Sequence, residues 1–328
     1  MTIGNVFPIS NFSMTNPSLS SPDCTSDSYG DTAASSNLVL PSNMRLHALE
    51  KYSFSDQAAR MLQAAHPSMA IDYHGHIDEV WGAVESGEYG LIPIENSSGG
   101  IVWPHLDHFR SKAVRIVGEA NLQVSMCAGG VPGSDLSSAR HVYSHQKGLD
   151  QCRTFIRQGF PVELEEHPMP NTAMAAKHIG HSGDPESICL SSRIALQELN
   201  LNVLAEDVAD LPAAQNITQF FMVHQNPENH LPFAEAERHA ALVTPENRRG
   251  VLGLITSMIA NARVDLTSLH SRAIGEKQYT FYVEMQREGS PRELHILADQ
   301  LDAHPAIQEV KWLGSWNLCV DSDSSATQ

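Results

Sequence analysis

From Ser55 onward the apolar residues Ala58, Ala59, Met61, Leu62 and Ala65 return at intervals of three and four. That is the period of a helix face, and Ser55 followed by Asp56 offers the residue types that cap a helix start. Ile77, Val80, Trp81 and Val84 predict a second amphipathic helix, stopped by Gly87. The pattern then changes. Tyr89-Gly90-Leu91-Ile92-Pro93-Ile94 is a short, nearly continuous apolar run, which suits a strand buried on both faces. Similar runs fall at Val114–Ile116, Leu122–Val124, His141–Tyr143, Ser187–Leu190 and Phe220–Val223. Helices alternating with such strands predict an α/β domain on a parallel or mixed sheet.

Residues Gln225 to Glu237 contain Asn-Pro and Leu-Pro steps among polar residues and read as a linker. Beyond it, Ala240, Leu242 and Val243 predict a strand and Glu246 to Gly250 a turn. Val251, Leu254, Ile255, Met258, Ile259 and Ala262 recur at helical spacing. Two strands follow, Leu266–Arg272 and Tyr279–Val283. A helix marked by Leu294, Leu297, Ala298 and Leu301 comes next, and Val310–Leu313 closes the set. The order is βαββαβ, the ferredoxin-like split arrangement. Residues 1–43, rich in Ser, Asn, Thr and Pro, and the polar stretch 321–328 read as disordered tails. The expected organisation is therefore 44–224, a linker at 225–238, and a small domain at 239–320.

Composition narrows the partners. A chain of 328 residues has length for two cores. The formal charge of −17 argues against nucleic acid or an anionic membrane surface. No apolar run approaches the roughly 20 residues of a membrane-spanning helix, and no basic segment precedes an apolar core as in a secretory signal. Cys24, Cys127, Cys152, Cys189 and Cys319 are scattered and odd in number, as reduced cytoplasmic thiols would be. The histidine pairs His74/His76 and His178/His181 lack a third ligand at recognisable spacing, so no metal is expected.

Candidate chemistry gathers at strand ends. Glu95-Asn96-Ser97 directly follows an apolar strand, at the carboxyl end where open α/β sheets bind ligands. Ser98, Gly99 and Gly100 would let backbone approach a ligand closely; a capped turn with Ser97 as cap accounts for the same residues. Asn171-Thr172 opens a helix and either caps it or offers backbone N–H groups to a carboxylate.

Taken together, four segments resemble the prephenate dehydratase family. They are Ile92–Gly100, the block from Ser144-His145 to Gln151-Cys152-Arg153, Asn216-Ile217-Thr218-Gln219-Phe220, and a C-terminal segment patterned like an ACT regulatory domain. Their order and approximate spacing match the family from about Arg45 to Leu318. The resemblance implies a two-lobed, periplasmic-binding-protein-like α/β domain with a ligand cleft, followed by a ferredoxin-like ACT domain. It implies decarboxylative dehydration of prephenate, or a relative such as arogenate, to an aromatic product. No cofactor is needed, since aromatisation drives the reaction. The small-molecule substrate is a dicarboxylate, which makes any positive charge in the site deliberate. Thr218 matches the family's catalytic threonine, with Asn96 and Ser97 beside it; as a β-branched residue in a strand, Thr218 also fits a packing role. Glu95, Ser98, Gly99, His145, Lys147, Asn171, Thr172, Asn216, Gln219 and Phe220 fall on substrate-contact positions. Gly250-Val251-Leu252 and Ser271-Arg272 fall on regulatory ones, where an amino-acid effector would bind at the interface of a homodimer or homotetramer.

The chain also departs from the family's patterns. The signature Gly-Pro-x-Gly-Thr-Phe-Ser is Leu49-Glu50-Lys51-Tyr52-Ser53-Phe54-Ser55, so Tyr52 replaces a glycine. The regulatory Glu-Ser-Arg-Pro is His270-Ser271-Arg272-Ala273. Lys147 and Gln219 stand where the family has glutamine and arginine, which suggests a cation moved to the other side of the cleft. Two other readings remain: a decarboxylase that keeps the hydroxyl, and a ligand-binding sensor without turnover.

Overall fold

The computed structural model describes residues 41, 43–225, 235–317 and 319–322. Most of the predicted linker and nearly all of both predicted tails lie outside the described residues.

The chain opens with β1 (Arg45–Leu49), α1 (Phe54–Ala65), β2 (Ala70–His74), α2 (Ile77–Glu85) and β3 (Tyr89–Asn96). The short β4 (Gly100–Ile101), α3 (Trp103–Ser111) and β5 (Arg115–Gln123) follow. A second sheet then begins with β6 (Cys127–Gly130) and β7 (His141–His145). It continues through α4 (Gln146–Gln151), α5 (Arg153–Gln158), β8 (Glu165–Met169), α6 (Thr172–Ser182), β9 (Ser187–Ser191), α7 (Arg193–Glu198) and β10 (Asn202–Ala205). β11 (Ile217–His224) returns to the first sheet between β5 and β3. Two sheets, each with its own buried cluster, thus form two lobes crossed by the chain at β5–β6 and again before β11. Leu46, Leu62 and Met222 anchor one side of the first sheet; Val142, Ile156 and Ile188 anchor the second lobe.

The C-terminal unit is β12 (Arg238–Pro245), α8 (Val251–Asn261), β13 (Val264–Gly275), β14 (Gln278–Arg287), α9 (Pro291–Ala303) and β15 (Ile307–Trp316). This is the predicted βαββαβ order, with the two helices packed on Ala241, Val243, Val283 and Met285. Its sheet does not stand apart. β15 meets β5 in parallel through Gly314 and Ile116, giving one 11-stranded sheet across the first lobe and the C-terminal unit. The approach is close enough that a Cβ on Gly314 would lie 2.2 Å from the Ile116 carbonyl oxygen, so only glycine fits.

Three expectations need correction. The cap of α1 is Ser53, whose hydroxyl accepts from the Asp56 N–H at 3.2 Å; Ser55 lies inside the helix. The runs at 114–116 and 122–124 belong to the single strand β5, because the intervening polar residues are paired: the Glu119 carboxylate meets Arg238 at 3.2 Å and the Trp316 indole at 3.0 Å. Asp321 is not in a tail. It ends β16 (Cys319–Asp321), which pairs with β5, and Ser322 accepts from the Gln123 N–H.

Candidate active site

A cavity of about 380 Å³ lies between the two lobes. The first lobe contributes Leu49, Phe54, Pro93, Asn96, His105, Thr218 and Phe220; the second contributes His145, Lys147, Gln151, Asn171 and Thr172, with Val124 and Met126 at the crossover. The walls are mainly apolar and carry few polar groups, the usual make-up of a small-molecule site. Lys147 is the one Lys or Arg side chain among its described lining residues, and Glu95 the one carboxylate.

The polar centre is Asn96, at the end of β3. Its side-chain oxygen accepts from the Ser98 N–H at 3.0 Å, the Gly99 N–H at 2.9 Å and Gln151 Nε2 at 3.0 Å. Its Nδ2 donates to Asn216 Oδ1 at 2.8 Å and to Thr218 Oγ1 at 3.0 Å. The amide is therefore fully occupied, and its effect is to position Thr218. An amide N–H fills a lone pair on the threonine oxygen, which leaves the hydroxyl proton to point at a ligand. β3 and β11 are paired here with Asn96 opposite Thr218, so backbone register fixes the contact.

Two histidines line the cavity in defined neutral forms. Burial lowers the His105 pKa, and its Nδ1 lies 2.6 Å from the Pro93 carbonyl, to which it must donate; Nε2 is then the acceptor. Burial, reinforced by Lys147, lowers that of His145, whose Nδ1 accepts from the Lys147 N–H at 3.3 Å; Nε2 then carries the proton.

The sequence-selected residues divide. Asn96, Thr218, Phe220, His145, Lys147, Asn171, Thr172 and Glu95 line the cavity. Gln219 and Ser97 do not. They line a crevice on the opposite side of β3 and β11, against the C-terminal unit, where Gln219 Nε2 donates to Glu284 at 3.0 Å. A strand alternates its side chains, so neighbours of Thr218 and Asn96 face away from them. The cation swap between positions 147 and 219 is thereby corrected: the two side chains are in different places. Asn216 is fully buried behind Asn96, and Ser98 and Gly99 spend their N–H groups on Asn96 instead of a ligand. Asn171 caps α6 by accepting from the Met174 N–H at 2.7 Å and donates to Glu50 at 3.0 Å.

Glu95 touches both sides. Its carboxylate lies 3.4 Å from His270 of β13. Among the regulatory candidates, Arg272 pairs with Asp107 of α3 at 2.7 Å and lies over the Trp103 ring, while Ser271 is exposed. Gly250, with φ of 80°, is the left-handed N-cap of α8; Val251 is buried and Leu252 is exposed.

Several contributors carried no signal strong enough to select them. Gln151 crosses the cleft to Asn96. Glu50, at the family's proline position, crosses it to Asn171 and Lys177. Tyr52, at the position of the family's glycine, has φ of 75°, so the backbone keeps a glycine-like turn at the cost of about 1 kcal/mol of strain.

A two-lobed α/β protein with a cleft between its lobes, an aimed hydroxyl on one wall and a cation on the other, is built to hold a compact anionic ligand. The family model for prephenate dehydratase matches residues 50–228, and the chain belongs to that family. It is 30% identical to the prephenate dehydratase of Mycolicibacterium vanbaalenii over 285 residues, 80% of this chain and 88% of that one. Other matched relatives are an arogenate dehydratase of Petunia hybrida, 27% identical over 73% of this chain and 59% of that one, and an arogenate dehydratase/prephenate dehydratase of Arabidopsis thaliana, 27% identical over 71% and 62%. A prephenate dehydratase of Arthrobacter aurescens solved with L-Phe has the same fold, with a TM-score of 0.69 at 24% identity over 83% of this chain and 89% of that one. GqqA, described as a quorum quenching acylase, matches with a TM-score of 0.68 at 25% identity, over 84% of this chain and 98% of that one.

Proposed function

We propose that this chain converts prephenate, or its amino analogue arogenate, to phenylpyruvate or phenylalanine by decarboxylative dehydration. The observation that carries the reading is the Asn96–Thr218 hydrogen bond at 3.0 Å, which the threonine accepts, so its hydroxyl proton is left for a ligand in the cavity that Thr218 lines. In the reaction the bond from the ring to its carboxylate breaks and carbon dioxide leaves. The electron pair enters the ring as the C4 hydroxyl departs, and one proton is taken up to release water. Thr218 holds the leaving oxygen as charge develops on it, and a donor fixed in advance by Asn96 needs no reorganisation at that moment. Lys147 meets a substrate carboxylate as a point charge, without the two-pronged grip of an arginine. The apolar walls hold the ring in place, so orientation supplies much of the remaining rate.

The test is to incubate the purified protein with prephenate and with arogenate, following carbon dioxide and the aromatic product together. Equal release of both supports the reading. Carbon dioxide without aromatic product would make the chain a decarboxylase, and neither product a sensor. An acyl amide offered in parallel controls for the activity named for GqqA.

The C-terminal βαββαβ unit is read as an ACT-like effector domain that also joins two copies of the chain. No helix among the described residues is long and apolar enough to cross a membrane, in keeping with a cytoplasmic enzyme. Because His270 replaces a glutamate and engages Glu95, and Arg272 is held by Asp107, phenylalanine should bind weakly. Calorimetry with phenylalanine checks this, and tight binding with matching inhibition would refute it.

A further inference from the structure

Well away from the cleft, on the second lobe, three side chains of metal-ligand type converge. β7 and β8 are parallel neighbours, with His141 opposite Glu165 and Tyr143 opposite His167. Residues in register on adjacent parallel strands share a face, and so do residues two apart on one strand. His141, Glu165 and His167 therefore project from one face of two hydrogen-bonded strands, at the edge of the five-stranded sheet. Among the described residues, this is where three such groups come together, with their ligand atoms within 4.8 Å of one another.

The separations are informative. His141 Nδ1 lies 3.2 Å from His167 Nε2 and 3.4 Å from a Glu165 oxygen, and His167 Nε2 lies 3.8 Å from the other Glu165 oxygen. Tetrahedral zinc with bonds of ~2.0–2.1 Å requires ligand atoms ~3.3–3.4 Å apart. The two histidines meet different oxygens of Glu165; with one oxygen as ligand the three atoms lie within 4.8 Å of one another, and rotation of the Glu165 carboxylate closes the set without moving the strands. The His167 ring is fixed by stacking on Tyr143, with centroids 4.5 Å apart, and Tyr143 packs in turn against His178 of α6. His141 and His167 are half-buried and Glu165 is exposed, which leaves room for water at the remaining coordination position.

We propose that His141, Glu165 and His167 form a binding site for a divalent metal of zinc type, which clips β8 to β7. Two imidazoles and one carboxylate suit zinc and its first-row neighbours and disfavour magnesium or calcium, which prefer all-oxygen sets. The clip has a structural purpose readable from the topology. β7 ends at His145 and leads into Lys147, while β8 ends at Met169 and leads into Asn171 and Thr172, so the two strands deliver the second lobe's half of the cleft. His145 lies four residues beyond His141, or ~13 Å along the strand, too far for the metal to touch a bound substrate. Histidine spacing along the sequence gave no reason to expect a metal, because these ligands come from two successive strands that only the sheet brings side by side. The site does not depend on the reaction assigned to the cleft.

The test uses the whole protein, stripped with a chelator and titrated with zinc chloride under calorimetry, and with cobalt(II) as a visible probe. One zinc per chain is expected, together with cobalt d–d bands of a four- or five-coordinate site and a melting temperature several degrees higher with zinc. The double variant His141→Asn, His167→Gln should lose all three. Glu165→Gln should weaken zinc by more than the roughly 10- to 100-fold cost of removing an outer-sphere partner. His74→Asn, which breaks the separate His47–His74 pair, should retain the site. Metal-free melting temperatures of all variants serve as the folding control. Absence of saturable zinc uptake by the wild type would overturn the proposal, as would uptake and cobalt bands that persist unchanged in the double variant.

Discussion

The two faces of the β3–β11 pair are made from alternate residues of the same short segments, yet they do different things. On the cleft face, Asn96 and Thr218 form a neutral hydrogen-bonded relay that ends in a free donor. On the crevice face, Glu95, Ser97 and Gln219 look toward the C-terminal unit, where His270, Glu284 and Arg238 line the same space. There three carboxyl groups already have partners: Glu95 with His270, Glu284 with Gln219, Glu119 with Arg238. Gln219, where the resemblance places an arginine, thus sits at the joint between the units, on the face turned away from the cleft. A motif read as five consecutive letters spans two environments once it becomes a strand.

The largest effect should come from the cleft side. Thr218→Val preserves shape but removes the donor. Turnover should fall by roughly 100- to 1,000-fold, or about 2.7–4 kcal/mol, with KM little changed. Steady-state kinetics decide it, and near-normal turnover would remove Thr218 from the mechanism.

On the crevice side the effect should appear in stability and its pH dependence. Burial pushes the Glu284 carboxyl up from 4.5 to about 7, against the lowering effect of its hydrogen bonds from Tyr282 and Gln219. Between those values the folded protein holds a proton that the unfolded chain releases, so this group's contribution to stability is present below pH 4.5 and lost as pH rises through 7. Glu284→Gln abolishes that loss. Its stability relative to wild type should climb by on the order of 3 kcal/mol from the acid to the neutral end of the window. Taking the difference between the proteins cancels the opposing contribution of His239, which burial lowers to about 4. Denaturant melts at several pH values measure it, and a flat difference would show that Glu284 titrates normally.

The smallest effect is a predicted absence of coupling. Lys147→Gln should weaken substrate binding and Gln219→Arg should leave turnover nearly intact. Their double-mutant coupling should stay below the ~0.5 kcal/mol typical of independent sites. Recovery of the Lys147→Gln defect by Gln219→Arg would show the two positions to be in communication after all.

Much of this molecule was legible in the sequence. Helical periodicity located α1, α2, α8 and α9, and the βαββαβ order followed from it. The short strands β1, β2, β8 and β10 were not legible: β8, Glu165-Glu166-His167-Pro168-Met169, is a polar edge segment, while β1 and β10 carry only two or three apolar residues each, too few to set a period. In the site, the segments themselves are visible in the sequence, but which side chain faces the cavity depends on strand alternation. Strand alternation would have sent Gln219 and Ser97 to the crevice once Thr218 and Asn96 were placed in the cleft. The saturation of Asn96 could not be foreseen, because its partners Gln151 and Asn216 approach from distant parts of the chain. Tyr52 hid a glycine-like backbone turn behind an unexpected side chain.

The most direct test of the account is a crystal structure of the Thr218→Val variant, slowed enough to retain prephenate. The account predicts substrate between the lobes, with a carboxylate within about 3 Å of Lys147 Nζ and the C4 hydroxyl facing residue 218. Substrate found instead in the crevice beside Gln219 and His270, with the cleft between the lobes empty, would contradict it.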